Sequence, residues 1–172
     1  MLSGSVPVAS ARRCTKISSI YIFSEAMMRL TRYSDYSPRV LMYLELDPGR
    51  SATIDEISQA YEISRGHLMK VVHELGRAGF ITTTRGRGGG LRLARDGDEM
   101  TVGDVVRQME EKMDLVECFD PGTNECRIEP ACALRGALEE ALQSFLATLD
   151  GYTLADLVAR RRKPLIRLLE ET

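Results

Sequence analysis

The part of the sequence that most constrains the fold is a pair of capped helical segments ahead of a glycine-rich hairpin, in residues 53–95. "TIDEISQAY" opens with Thr53 and has Glu56 three residues later, which is the pattern of a capping box at the start of a short helix. Ser64 follows a brief break and is placed to cap the next helix, "RGHLMKVVHELGRAG". Apolar residues recur along this second segment at helical spacing and predict one buried face, made of Leu68, Val71, Val72 and Leu75.

A β-hairpin is predicted directly after these helices. "FITTT" and "LRLAR" are short strand-like runs, and the glycine-rich turn "RGRGGG" separates them. Two short helices joined by a tight turn form a helix-turn-helix, and the added basic hairpin predicts a winged helix. In that fold the second helix enters the major groove of DNA, while the hairpin lies along the backbone or in the minor groove.

Charge is segregated along the sequence. From Tyr61 to Arg95 seven basic residues face two acidic ones, whereas from Asp96 to the end seventeen acidic residues face nine basic ones, in a chain of net charge -2. A basic segment inside an acidic protein indicates a polyanionic partner that is contacted by one face. An ordinary solvated surface would carry the same charges, so it is the helix-turn-helix pattern that favours double-stranded DNA as the partner.

Candidate DNA contacts follow from this fold, because recognition helices present their N-terminal residues to the bases. Arg85 and Arg87 lie at the predicted wing tip, among glycines that let the backbone come close to DNA. Thr31, Arg32 and Tyr33 precede the predicted first helix and are further candidates for phosphate contacts. The predicted contacts from the recognition helix are Ser64, Arg65, Gly66, His67 and Lys70.

Three segments are predicted along the chain. Residues 1–27 carry basic residues ahead of "ISSIYIF" without a cleavage site, so we expect a disordered leader, or an early start codon ahead of Met28. Residues 28–100 are predicted to form the winged helix-turn-helix DNA-binding domain, which opens with a helix in "SDYSPRVLMYLEL". Residues 101–172 are predicted to supply a cysteine-bearing loop and dimerisation helices.

The helix predicted after the cysteines is long and has an apolar stripe. A long helix that follows a winged helix typically pairs with its twin across a two-fold axis, as a palindromic operator requires, so we expect a homodimer. The predicted fold class is therefore mainly α with a small β-hairpin, in which a long dimerisation helix follows the winged helix-turn-helix domain. The stripe consists of Leu134, Leu138, Ala141, Phe145 and Leu149.

Several other classes of protein are disfavoured. No run approaches the roughly 20 apolar residues that cross a bilayer, so no membrane partner is expected. "RGRGGG" lacks the Lys-Ser/Thr of a phosphate-binding loop and no nucleophile–base–oxyanion set occurs, so we do not expect an enzyme. Without export the protein is expected in the cytoplasm, where clustered thiols bind metal or do redox chemistry more often than they form structural disulfides.

Three of the four cysteines lie close together. Cys118, Cys126 and Cys132 are spaced C-x7-C-x5-C in a segment that otherwise has the composition of a loop, far from Cys14. Three thiolates suit soft metal centres, namely iron–sulfur clusters, zinc or copper. Pro130 is interpreted as the first residue of a helix, which puts Cys132 in the first helical turn beside free N–H groups. A structural zinc site completed by a carboxylate, and a metal-free thiol switch, are the open alternatives.

Several stretches together resemble one known family. "MRLTRYSDYSPRVLMYL", "ISRGHLMKVVHELGRAGFITTTRGRGGGLRLAR", the three-cysteine loop and "LDGYTLADL" resemble the winged-helix iron–sulfur regulators that include IscR and NsrR, from Met28 to about Leu169. The details are most similar to NsrR-type members, because Arg135 stands where IscR-like members have a histidine ligand. Two features depart from the family pattern: the first gap between cysteines is longer, and Pro38 replaces an ordinary helix former.

The resemblance implies a transcriptional repressor with an iron–sulfur cluster, [4Fe–4S] in preference to [2Fe–2S], on the three loop cysteines and not on Cys14. It implies that nitric oxide attacks the cluster, and that recognition helices about 34 Å apart in the dimer then release the DNA. An IscR-like regulator of iron–sulfur or redox status is the alternative within the family.

The resemblance also implies a fourth cluster ligand, the partner subunit's Asp35. Helix-start rules allow Ser37 as the N-cap and Pro38 as the first helical residue, which would leave Asp35 in the preceding loop and change its direction. Acids of the cysteine loop itself are the alternative ligands, namely Glu117, Asp120, Glu125 and Glu129.

Overall fold

The structure is a computed structural model that describes residues 29–86 and 88–170. Within these residues it has seven α-helices and one two-stranded antiparallel sheet, which confirms the prediction of a mainly α fold with a small β-hairpin. The predicted leader, Cys14 and Arg87 lie outside the described residues. In chain order the elements are α1 (Arg32–Glu45), α2 (Ile54–Tyr61), α3 (Arg65–Arg77), β1 (Ile81–Thr84), β2 (Gly90–Leu93), α4 (Val102–Met109), α5 (Ala133–Asp150), α6 (Leu154–Ala159) and α7 (Arg162–Glu170).

Helix α1 begins earlier than the alternative start at Ser37. Thr31 is its N-cap, and Thr31 Oγ1 accepts a hydrogen bond from the Ser34 N–H at 3.3 Å. Pro38 lies inside the helix, where it cannot donate a bond to the Ser34 carbonyl. The helix continues because its apolar face is buried against α3, α4 and α6, and this burial outweighs one lost bond. The alternative start is therefore wrong, and Asp35 lies in the first turn of α1.

The predicted helix-turn-helix consists of α2 and α3. The capping box of α2 is confirmed: Thr53 Oγ1 accepts from the Glu56 N–H at 3.2 Å, and Glu56 Oε2 accepts from the Thr53 N–H at 2.6 Å. Glu62 ends α2 in the left-handed region with φ 53°, which turns the chain into α3. Ser64 is the N-cap residue of α3, but its side chain makes no capping bond. The buried face of α3 is the predicted one, made of Leu68, Val71, Val72 and Leu75.

The wing is the hairpin of β1 and β2, as predicted. The strands pair antiparallel, with Thr84 opposite Gly90 beside the turn. Gly86 and Gly88 turn the chain at the tip with φ of +101° and +78°, a conformation that residues with a Cβ rarely adopt. On the other edge of β2, a backbone bridge from Ala52 fastens the wing to the segment that precedes α2.

The C-terminal helices α4 and α6 pack against α1 of the helix-turn-helix region. Capping boxes begin both helices, since Thr101 pairs with Asp104 and Thr153 with Asp156. One buried cluster contains residues from both sides of position 100, so the winged helix and the C-terminal segment share a core. Its members include Val40, Leu41, Leu68, Phe80, Met100, Val105 and Leu154.

Helix α5 is the longest described helix, and most of its residues are exposed. Of its residues only Leu146 is buried, while Leu134 is 64% and Phe145 41% exposed. Most of the predicted apolar stripe is therefore without a partner within the described part of the chain. None of the described helices is both long and apolar enough to cross a membrane.

Candidate DNA-binding surface and cysteine loop

Helix α3 turns Gly66 and Lys70 to solvent, on the side opposite its buried residues. A Cβ added at Gly66 would have no heavy atom within 4 Å, so the fold itself does not require glycine there. Lys70 has no carboxylate partner among the described residues, whereas Arg65 Nε lies 3.3 Å from Asp55 Oδ1. The charge of Lys70 is thus available to an anion, while Arg65 shares its charge with Asp55.

Ser64 and His67 are bonded to each other at the start of α3, with Ser64 Oγ 2.8 Å from His67 Nδ1. The His67 ring centroid lies 6.4 Å from that of Tyr36 in α1. The Arg39 guanidinium lies 5.6 Å from the Tyr36 ring centroid, and Arg39 Nη2 donates to Asp35 Oδ1 at 2.7 Å. A continuous series of contacts therefore joins Asp35 to the start of the recognition helix.

The sequence reasoning missed two members of this series, Tyr36 and Arg39. A signal existed for Arg39, because its spacing of four from Asp35 on a helix brings opposite charges together. No local signal existed for Tyr36, because its contact with His67 joins two helices that are far apart in the sequence.

Two of the three residues placed ahead of the predicted first helix belong to it. Thr31 is the N-cap just before α1, as predicted, but Arg32 and Tyr33 are the first two residues of the helix, so the prediction that these two precede it is wrong. The cause is the early start of α1 at the Thr31 cap. All three side chains are exposed.

The basic residues of the wing differ in whether their side chains are free to contact DNA. Arg85 is exposed beside the tip and has no carboxylate partner in the described ranges, and Arg87 lies outside them. Arg92 is occupied, since its Nε donates to Ser51 Oγ at 2.8 Å and its Nη1 to the Gly49 carbonyl at 3.0 Å. The described charge at the tip that is free to meet DNA is therefore that of Arg85, while Arg92 holds the hairpin in place.

The cysteine loop, residues 110–132, joins α4 to α5 and contains two short 3-10 turns. Cys118 lies in the first turn, Glu117–Phe119. Cys126 lies between the turns, and its N–H donates to Asn124 Oδ1 at 3.1 Å. All three loop cysteines, which include Cys132, are free thiols and half-buried.

Cys132 lies just before the helix rather than inside it. Pro130 belongs to the second 3-10 turn, Glu129–Ala131, and Cys132 is the N-cap of α5 with extended backbone angles, φ -84° and ψ 106°. The prediction that Pro130 starts the helix is wrong, because its fixed φ suits a 3-10 turn as well as an α-helix. The side chain of Cys132 makes no capping bond, so the first N–H groups of α5 have no side-chain partner from it.

Two acidic residues of the loop are held by neighbouring cations. Lys112 Nζ lies 2.5 Å from Asp120 Oδ2, and this hydrogen bond holds the pKa of Asp120 below its usual range. Arg135 Nη1 lies 3.0 Å from Glu129 Oε1. A ligand role for either acid would require it to leave its partner.

The loop does not gather its thiols in this structure. Within residues 29–86 and 88–170, no group of three or more His, Cys, Asp or Glu side chains is close enough to hold a metal ion. The donor set fits an iron–sulfur cluster in its chemistry, because three free thiols lie on a segment of irregular backbone that ends at an uncapped helix N-terminus. The same thiols fit zinc.

Comparison with known proteins agrees with this architecture. Residues 30–160 match the Rrf2 family, described as an iron-dependent transcriptional regulator. The HTH-type transcriptional regulator NsrR of Bacillus subtilis (strain 168) is 47% identical over 144 residues, which are 83% of this chain and 98% of that protein. NsrR of Geobacillus kaustophilus (strain HTA426) is 51% identical over 135 residues, which are 78% and 92% of the two chains.

Solved structures show the same fold. CymR (YrzC), the global cysteine regulator of B. subtilis, has a TM-score of 0.62 and 25% identity over 78% of this chain and 98% of its own. T. potens IscR has a TM-score of 0.63 and 22% identity over 77% and 87%, a likeness of fold alone. The winged-helix prediction and the resemblance to NsrR-type regulators are confirmed, and the chain belongs to the Rrf2 family of iron-dependent transcriptional regulators.

Proposed function

We propose that this chain is a transcriptional repressor, not an enzyme, that binds a palindromic operator as a homodimer and senses nitric oxide through an iron–sulfur cluster. The observation that carries the proposal is the combination of a recognition helix with free positive charge and a loop of three free, half-buried thiols in one small chain. Relatives of about half identical sequence are named NsrR, which supports the same function. The protein acts where the DNA is, in the cytoplasm.

DNA is held by the start of α3 and by the wing. Lys70 and Arg85 are exposed cations without acidic partners in the described residues, and they meet the phosphates and base edges. Gly66 lets the backbone of α3 approach the groove, and His67 is oriented by its bond to Ser64. Phosphate contacts fix the register on the duplex, and contacts to base edges supply sequence specificity.

Cys118, Cys126 and Cys132 would hold the cluster, which would supply iron able to bind nitric oxide. [4Fe–4S] is the proposed form, and [2Fe–2S] is the alternative. Cys132 is the residue that connects the loop to α5, because it is the N-cap of that helix. A movement of the loop would therefore shift the first turn of α5. We assign the exposed Leu134 and Phe145 of this helix to the dimer interface.

We assign the fourth ligand to the partner subunit's Asp35. Asp35 lies in the first turn of α1 with its side chain 48% exposed, so a partner subunit has access to it. A mixed dimer tests this assignment by pairing one subunit that carries Asp35→Ala with another that lacks the loop cysteines. A ligand supplied across the dimer leaves one complete site in that pair. A spectrum as damaged as that of the Asp35→Ala homodimer would refute the assignment.

Anaerobic purification tests the main proposal. We expect iron and acid-labile sulfide in the protein, visible absorption that nitric oxide changes, and a matching loss of affinity for an operator selected from random duplexes. The control is a variant with all three loop cysteines replaced by serine, which should lack both the absorption and the response. Stoichiometric zinc without sulfide would show that the cysteines hold a structural zinc site and not a cluster. A disulfide in metal-free protein would indicate a thiol switch.

A further inference from the structure

A cleft of about 240 Å³ opens between the start of α1 and the first half of α3. It lies beside the exposed face of the recognition helix, and it is not part of the cysteine loop. The residues that line it are Arg32, Tyr33, Tyr36, His67, Lys70 and Val71.

The cleft is positively charged. Arg32 and Lys70 are exposed, and neither has a carboxylate partner in the part of the chain that the structure describes. No acidic residue lines the cleft. The acid that follows it in α1, Asp35, is paired with Arg39 at 2.7 Å. Two unpaired cations at one opening attract an anion, because no internal charge offsets them.

Aromatic and hydroxyl groups complete the lining. Tyr33 and Tyr36 bring phenol rings against which a sugar can pack and O–H groups that can donate to an oxyanion. The Tyr36 ring is held in place between His67 and the Arg39 guanidinium. The volume is below the roughly 300–1,000 Å³ of small-molecule and cofactor pockets, so a small charged group fits better than a cofactor.

We propose that this cleft seats a phosphodiester of the DNA backbone, with its deoxyribose against the tyrosine rings, next to the bases that α3 contacts. The site rests on the proposed DNA-binding function. It adds Tyr36 to the candidate contacts, and it places Arg32 and Tyr33, which the sequence analysis named, in one cleft with Lys70. A phosphate held by both α1 and α3 fixes the depth and angle at which the recognition helix enters the groove. Free phosphate or a phosphorylated small molecule has the same oxyanion chemistry, so the test must separate these sources.

Arg32→Gln is the test variant, and Lys163→Gln, at an exposed cation of α7 outside the cleft, is the matched control. We expect Arg32→Gln to weaken binding to all duplexes by the same factor and to lower the salt slope of log K by about 1 per subunit. Its melting temperature should stay that of the wild type, because the Arg32 side chain is exposed and unpaired. Equal losses in the Lys163→Gln control would show a general charge effect and overturn the proposal.

Duplexes with one neutral methylphosphonate at successive positions locate the contact. At one position in each half-site, we expect the methylphosphonate to weaken DNA binding by the wild type and to cause no further loss of DNA binding by Arg32→Gln. Identical scans for the two proteins would overturn the cleft assignment and leave the proposed function intact. Inorganic phosphate could instead raise the melting temperature of the wild type but not that of Arg32→Gln, while the two proteins bind DNA equally. That result would assign the cleft to a free anion and overturn the proposal. Failure of the wild type to bind any duplex would instead refute the proposed function.

Discussion

Replacing Gly66 by alanine should stabilise the fold and weaken DNA binding at the same time. Gly66 is the second residue of α3, it is exposed, and an added Cβ would meet no heavy atom within 4 Å. Alanine is more favourable than glycine in a helix by about 0.5–1 kcal/mol, so the melting temperature should rise by about 1–4 °C. The protein's own packing gives no reason for glycine at this position.

We propose that glycine is needed at position 66 because a side chain there would clash with DNA. Gly66 lies on the outward face of α3 one turn before Lys70, so a methyl group there would stand between the helix and the base edges. One extra carbon in a well-packed contact costs about 1–3 kcal/mol. That range corresponds to a loss of roughly 5- to 150-fold in affinity for the selected operator.

Gly76 provides the matched control in the same helix. It is also exposed, and an added Cβ there would likewise have no neighbour within 4 Å. It lies ten residues further on, about 15 Å along the helix, away from the end that we propose enters the groove. Gly76→Ala should therefore stabilise the protein without loss of affinity. Thermal unfolding and fluorescence anisotropy measure both effects, and equal operator affinities for Gly66→Ala and wild type would refute the clearance argument.

Three further predictions concern the wing, the cysteine loop and one surface ion pair. Joint replacement of Arg85 and Arg87 by alanine should reduce affinity for all duplexes and flatten its salt dependence, and an unchanged slope in a salt titration would remove the wing from the interface. Single replacement of each loop cysteine by serine should abolish retention of iron and sulfide, whereas Cys14→Ser should leave both unchanged. Arg107 lowers the pKa of Asp150 below its ordinary value of 3.8 through hydrogen bonds of 2.5 and 2.6 Å, so this pair stabilises the fold above that value and the contribution is lost as the pH falls below it. Acid titration of Arg107→Gln should show a smaller loss of stability than wild type.

Helix starts were predictable because they depend on local chemistry. In each of the three capping boxes, at Thr53, Thr101 and Thr153, an acidic residue follows three positions later, and the two side chains satisfy each other's backbone N–H groups. No distant residue takes part in these bonds. The sequence alone therefore contains the information that places the starts of α2, α4 and α6.

Proline positions were harder to interpret, because the same fixed φ suits more than one structure. Pro38 is compatible with a helix start, but it lies inside α1, where burial of Val40 and Leu41 against other helices decides the outcome. Pro130 is compatible with an α-helical start, but it lies in a 3-10 turn. The outcome at Pro38 depends on packing with distant segments, which a local rule does not contain.

The positions of the thiols could be predicted only as far as their segment. The spacing of Cys118, Cys126 and Cys132 identifies one loop, and the structure has all three there as free thiols. Distances between them depend on the backbone angles of about a dozen loop residues, for which no sequence period exists. The chemistry of the donor set was therefore accessible from sequence, whereas its geometry was not.

The pairing of Asp35 with Arg39 does not compete strongly with a ligand role for Asp35. Both side chains are nearly half exposed and lie four residues apart on α1, and such pairs contribute only about 0.3–0.5 kcal/mol. A pair this weak would break at little cost if Asp35 bound a metal. Arg39 would then lose its acid while it still lies against Tyr36, whose ring contacts His67 at the start of α3. Ligation of the partner's cluster by Asp35 would therefore change the charge beside Tyr36, whose ring contacts His67 at the start of α3.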